Sequence, residues 1–288
     1  VPDSRAVITV PADGGKSDNW AEWIALDESS AGEILLDLRN LLVASPLLSS
    51  RLRALIDWHS FNGASVEVIA PNNHQVRSYL GMMRLGAELP ESCSCDLGPI
   101  PETGRGKVLI PIRRLSDVQE GDRLDEELGE LLAAQFTGTI GRLAEAFTTT
   151  ASEMCDNATS HGRSAVIGAY VSAQRYQEHC ILAIGDLGIG IPDHIRKAHP
   201  ELKTDDDAIR LATKEGYTGT GVQHRGIGYQ YAIDTLKETS VPFGELRVWS
   251  GHGRFRVETR DGIQVRRRAW AVEEATAGTW VRLGLSAK

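Results

Sequence analysis

Glu153 and Asn157 stand four residues apart in Glu153-Met-Cys-Asp156-Asn157-Ala158, so on a helix a carboxylate and a carboxamide share one face. Oxygen donors placed this way can hold a water and a hard divalent cation, and magnesium keeps several waters while it binds substrate phosphates. Asp186, in Gly185-Asp186-Leu-Gly188-Ile-Gly190, leaves the apolar run Cys180–Ile184 where two nearby glycines let the backbone turn and approach a ligand closely. A carboxylate at that point disfavours phosphate but accepts a hydrogen bond from an amino group such as that of adenine. Further on, Gly219-Thr-Gly221-Val-Gln-His-Arg225-Gly226-Ile-Gly228 opens the segment Tyr229 to Leu236, and glycines that open a helix expose backbone N–H groups to phosphates. In chain order these are a cation-holding pair, a base-reading carboxylate and a phosphate-covering loop. They point to a nucleotide.

The elements that must position these residues are legible from periodicity. Leu132, Phe136, Ile140, Leu143, Phe147, Ala151 and Met154 recur every three or four residues, which predicts a helix over about 130 to 160 with one buried stripe. A second helix is predicted near 226 to 238. Strands are expected near 164 to 172, 178 to 185, 245 to 250, 254 to 259 and 279 to 285, giving a two-layer α/β sandwich with helices on one sheet face. Arg196 to Arg210 is expected to be a helical and loop region leading to the lid.

These motifs resemble the ATPase and kinase fold shared by gyrase-type topoisomerases, heat-shock chaperones, histidine kinases, mismatch-repair ATPases and anti-sigma-factor kinases, the GHKL superfamily. Glu153 to Asn157 with Ala158 is similar to its N box, and Asp186-Leu-Gly188-Ile-Gly190 to its adenine-binding box. Gly226-Ile-Gly228 is similar to its second glycine box, and Gly278-Thr279 to its closing threonine strand. The resemblance spans roughly residues 130 to 286. It implies that Asn157 coordinates Mg2+, that Glu153 orients or activates the attacking group, and that Asp186 binds the adenine amino group. Thr279 would support that contact through a water, and Gly188, Gly190, Gly226 and Gly228 would shape the ATP pocket.

Each residue also has a plain structural role open to it. Asp186 could shape a turn, Glu153 and Asn157 could form a solvated helix face, and Gly226 and Gly228 could mark a helix entry. Thr279 begins a β-like run and could serve only the strand. His161 before Gly162 has the look of a C-terminal cap. His224 and Arg225 could reach terminal phosphates or lie in solvent.

The remaining sequence bounds the protein further. A chain of 288 residues can hold one large or two moderate cores, and 41% apolar residues mark it as globular rather than disordered. No apolar run approaches the 18 or so residues of a membrane span, and the start shows no signal-like core. Cys93, Cys95, Cys155 and Cys180 lack metal-site spacing, so a reduced cytoplasmic protein is expected.

Residues 1–114 are expected to form a smaller α/β regulatory or interaction domain, with strands at Ile34–Leu38 and Val66–Ile69 and helices near 50 to 58 and 74 to 85. Over residues 30 to 90 this unit resembles the STAS fold of anti-sigma antagonists, with Ser45 at the position of that family's phosphorylated serine, although Val43-Ala-Ser45-Pro46 departs from the usual motif. Gly98 to Gly106 reads as a linker to the ATP-binding domain at 115–288. Asp117 to Glu130 carries seven acidic residues and Arg123, a solvated face. Arginines at 254, 256, 260 and 266 to 268 gather positive charge, but the chain is formally −8 at pH 7 and nucleic acid is not the expected partner.

The function expected is an ATP-binding, Mg-dependent ATPase module acting as a nucleotide-controlled regulatory switch, with a protein partner or homo-oligomer as its output. A serine kinase of the anti-sigma type and a non-catalytic nucleotide-binding interaction protein are the alternatives.

Overall fold

The computed structural model describes residues 5–14, 32–98, 108–116, 167–176, 179–214, 228–238 and 242–286, with separate helical positions between 119 and 130. Two sheets organise them, one parallel and one antiparallel.

The first sheet is four-stranded in the order β1 (Arg5–Thr9), β2 (Glu33–Asp37), β3 (Ser65–Ile69), β4 (Cys93–Cys95), all parallel. Parallel neighbours need long crossovers, and α1 (Pro46–Phe61) and α2 (His74–Met82) supply two of them. Ser45 caps α1: its Oγ accepts from Leu48 N at 3.3 Å, with Pro46 at the first helical position where a missing N–H costs nothing. Asn73 does the same for α2, accepting from Gln75 N and Val76 N. Burial alternates along β2 and β3, with Ile34, Leu36, Val66 and Val68 inward and Glu67 outward.

The second sheet is five-stranded and antiparallel. Its order is β5 (Val108–Leu115), β6 (Ala169–Tyr176), β7 (His179–Asp186), β9 (Ile263–Ser286), β8 (Phe243–Arg260). Strands β8 and β9 form one long hairpin closed by Asp261-Gly262, at φ 49° and 77°, the two left-handed residues a tight hairpin turn requires. The segments expected as separate strands at 245–250 and 254–259 are therefore one strand, broken in register around Gly251. Between β7 and β8 lie α3 (Gly190–Arg196), α4 (Asp205–Ala212) and α5 (Gly228–Glu238). Tyr229, Ala232, Ile233 and Leu236 give α5 a buried stripe against Ile184, Val248, Val281 and Leu283.

Helix α1 lies between the two sheets. Its Leu47, Leu48, Leu52, Leu55 and Ile56 share one core with Leu36 and Val66 of the first sheet and with Tyr170, Ala183, Trp249 and Trp280 of the second. A helix covered on two sides must also settle its polar groups. Tyr170 OH donates to Asp57 Oδ2 at 2.7 Å, Ser172 Oγ donates to Pro46 O at 2.9 Å, and Ser50 Oγ lies 2.8 Å from Ser172 Oγ. The two-layer expectation thus describes the sheet and α5, while α1 adds a layer on the opposite face. The expected helix at 50–58 runs longer because buried Ser49, Ser50, Arg51, Asp57 and His59 blur its apolar period. Strand β5 crosses the expected boundary at residue 114, pairs with β6, and binds back through Ile112 N to Met83 O at 2.9 Å.

A charged cluster stiffens the outer strands. Burial works against the charge of Glu245, and the guanidinium groups of Arg282, Arg247 and Arg256 overcome it, holding this carboxyl below its ordinary value. A lowered folded-state value means the ionised form stabilises the fold. Its contribution is complete above the unfolded value near 4.5 and is lost as pH falls through the folded one. Glu245→Gln should cost about 3 kcal/mol at pH 7, the low end for a broken buried pair. Urea denaturation should show that gap closing as the pH is lowered below the carboxylate range; a gap independent of pH would contradict the assignment.

Candidate functional site

Where β7 ends, the second sheet carries a short polar row that lies partway along the longer β8 and β9. Asp186 closes β7 and pairs in register with Thr279 of β9, which pairs with Ser250 of β8. Directly opposed antiparallel residues share a face, with Cβ atoms about 4.5–5.5 Å apart. By alternation that face is the one holding Ile184, Val281 and Val248, the face α5 covers. Asp186, Thr279 and Ser250 are all buried, at 5%, 5% and 0% exposure.

Hydrogen bonds fix the row. Gly188 N donates to Asp186 Oδ1 at 2.6 Å, so the chain leaving β7 folds straight back onto the carboxylate. Ser250 Oγ donates to Gly278 O at 2.8 Å, accepts from Ile191 N at 2.8 Å and lies 3.0 Å from Thr279 Oγ1. Two glycines make this closeness possible. A Cβ on Gly190, at φ 79°, would sit 2.8 Å from Ser250 Oγ, and one on Gly278, at φ 69°, would overlap the Asp186 carbonyl. The lack of a side chain at Gly190 therefore serves the docking of α3 onto β8. Asp205 secures the same corner, pairing with Arg196 and accepting from His252 N at 2.6 Å.

The opposite face behind this row belongs to α1. Arg51, 2% exposed, lies over the Trp280 ring at 5.1 Å from its centroid, one residue from Thr279. Burial, then the charge of Arg254, lowers its affinity for a proton well below the usual arginine range. Gly185 has room only for hydrogen, because a Cβ there would run into the Trp280 ring. Contacts with α1 thus reach the strand positions that carry Asp186 and Thr279.

The structure brings together Asp186, Gly188, Gly190 and Thr279 and places Gly228 at the first residue of α5. Glu153, Asn157, Gly226, His161, Cys155 and the segment from Gly219 through Ile227, with His224 and Arg225, lie outside the described residues. Among the described residues no group of three or more His, Cys, Asp or Glu could hold a metal ion, and no helix is long and apolar enough to cross a membrane. Burial pushes the thiols of Cys95 and Cys180 up to about 12, which suits packing rather than reactivity. The sequence alone does not mark Ser250. A lone serine in Val248-Trp249-Ser250-Gly251 carries no local signal, and only strand register places it beside Thr279.

No family model matches the chain, and no curated protein matches it. Among solved structures, the DNA gyrase B-subunit of Myxococcus xanthus aligns at 15% identity with a TM-score of 0.22, over 38% of this chain and 28% of that one. The ATPase region of Saccharomyces cerevisiae topoisomerase II aligns at 12% identity with a TM-score of 0.21, over 37% of this chain and 28% of that one. The alignments therefore span under a third of either neighbour's length, and scores of this size do not assign a shared fold.

Proposed function

We propose that the chain is an ATP-binding, Mg-dependent ATPase module whose nucleotide state regulates its N-terminal unit or a partner protein. The observation that carries this reading is the buried row Asp186–Thr279–Ser250 where β7 ends in an antiparallel sheet. A carboxylate held there by its own loop can accept from the adenine amino group and would face the carbonyl oxygen of guanine. Bound ATP would lie between that row and the Gly219–Gly228 loop, with Asn157 holding Mg2+ and Glu153 directing the attacking water. Mg2+ would supply charge neutralisation at the phosphates. The stack of Arg51 on Trp280 gives nucleotide binding a route to residues 1–114, because α1 rests on the back of the strand that carries Thr279.

Calorimetric titration with ATP and GTP in the presence of magnesium tests the reading. ATP should bind more tightly than GTP, and Asp186→Asn should weaken ATP by roughly ten- to a hundredfold, the worth of a hydrogen bond to a charged group. Equal binding of GTP, or an unaffected Asp186→Asn protein, would remove the basis of the assignment. Radiolabelled γ-phosphate released to solvent supports the ATPase; label transferred to a serine would make the module a kinase.

A further inference from the structure

We propose that the outer stretch of β9, from Ile263 to Arg268, takes up an extended acidic segment of a partner protein as an added β-strand. Its arginines lie on the sheet face opposite to the Asp186–Thr279–Ser250 row, so the site does not rest on nucleotide binding.

The backbone supplies the first part of the argument. Strand β7 covers β9 only from Thr279 to Ser286. Residues Ile263 to Ala271 pair with β8 and, among the described residues, with no other strand. The far side of that stretch presents N–H and C=O groups in ladder spacing, the template onto which an extended peptide adds. A strand with one covered face alternates between buried and exposed residues. Ile263 to Arg268 are instead exposed one after another, with Ile263 at 70% and Val265 at 51%. Solvent therefore reaches both faces of this stretch.

Charge supplies the second part. The register sets Ile263 opposite Arg260, Arg266 opposite Glu258 and Arg268 opposite Arg256, and directly opposed residues share a face. That face gathers four arginines around Glu258, which already pairs with both Arg256 and Arg266, the latter at 3.4 Å. Arg268 has Arg256 across from it, an unfavourable like-charge pairing, and rests on the Trp270 ring at 5.5 Å from its centroid. Arg267 points the other way, over Phe255, and donates to Thr213 O at 3.1 Å. A strand laid along β9 would set every second side chain on the arginine face. Carboxylates two residues apart would then meet Arg266 and Arg268, with Ile263 offering an apolar contact beyond them.

These features select the occupant. Charged side chains on an edge strand keep like strands away, and a second copy of β9 would bring arginines against arginines. The same guard admits an acidic strand. Nucleic acid could meet the arginines but not the ladder. Single strands also need aromatic platforms, whereas the exposed apolar residues here are Ile263 and Val265, and Arg268 covers the Trp270 ring.

Fluorescence anisotropy of the full chain with a short labelled peptide alternating glutamate and threonine tests the proposal. The peptide should bind, and a version with lysine in place of glutamate should bind at least about tenfold more weakly. Arg266→Glu combined with Arg268→Glu should weaken the glutamate peptide by about tenfold or more and favour the lysine peptide. Phe61→Ser, at an exposed residue of α1, should change neither. Glutamate peptides N-methylated on alternate amides, made in both phases, separate the ladder from the charge. One phase should lose binding, and equal binding by both phases overturns strand addition. Amide exchange of the wild type, followed by NMR, should show new protection at alternate residues between Ile263 and Arg268 when the peptide is present. Unchanged protection defeats the proposal, and this readout decides alone if the double variant fails to fold by circular dichroism. Oligothymidylate that binds as tightly as the peptide, or wild-type dimers that the double variant abolishes in sedimentation, would also overturn it.

Discussion

Gly278→Ala should destabilise the protein by about 3–5 kcal/mol and abolish ATP binding, although only one methyl group is added. Two costs combine. The residue sits at φ 69°, where an L side chain is strained by roughly 1–2 kcal/mol. Its Cβ would also overlap the Asp186 carbonyl oxygen and crowd Leu187, which are backbone atoms that cannot rotate away. Relief requires β9 to move off β7 at Asp186↔Thr279, the pairing on which the proposed site depends. Gly63 provides the control, with φ 88° and nothing within 4 Å of an added Cβ. Gly63→Ala should cost only the backbone contribution, and urea midpoints of the two variants separate strain from collision. Equal losses would show that the close approach at Gly278 contributes nothing.

Glu153→Ala should lower ATP turnover by about 10²–10⁴-fold while changing nucleotide affinity much less. A carboxylate that orients or activates the attacking water acts mainly on the transition state, so its loss appears in the rate of the chemical step. Asn157→Ala should differ, weakening magnesium-dependent binding as well, because the proposed amide ligand acts before chemistry begins. Released phosphate measured beside nucleotide affinity distinguishes the two. Turnover that survives in Glu153→Ala would leave a nucleotide-binding regulatory protein as the better description.

The parts of the fold that could be read in the sequence are those whose signals are local. The run Cys180–Ile184 ending at Asp186 became β7, and the stripe from Tyr229 to Leu236 became the buried face of α5. Long-range features were hidden. The polar stretch Gln264 to Arg268 has no buried alternation, so the outer half of β9 was missed even though Asp261-Gly262 marks its turn. Helix α1 looked shorter than it is because Arg51, Asp57 and Ser50 find partners on a sheet formed much later in the chain. The candidate site divides the same way: Asp186 and Thr279 are visible through their glycine neighbours, while Ser250 acquires meaning only through the register of β8 with β9.

The position of α1 also sets an order of events during synthesis. Ser50 meets Ser172 across a separation of 122 residues, and Trp280 lies further still. At translation rates of about 5–20 residues per second, the side of α1 meant for the second sheet waits roughly ten to fifty seconds for its last strand. Contacts spaced so widely along the chain also form slowly once available. The first sheet can assemble around one flank of the helix while the nascent chain is still growing, yet the other flank, with Ser50, Arg51 and Asp57, is not fully covered until β9 has left the ribosome.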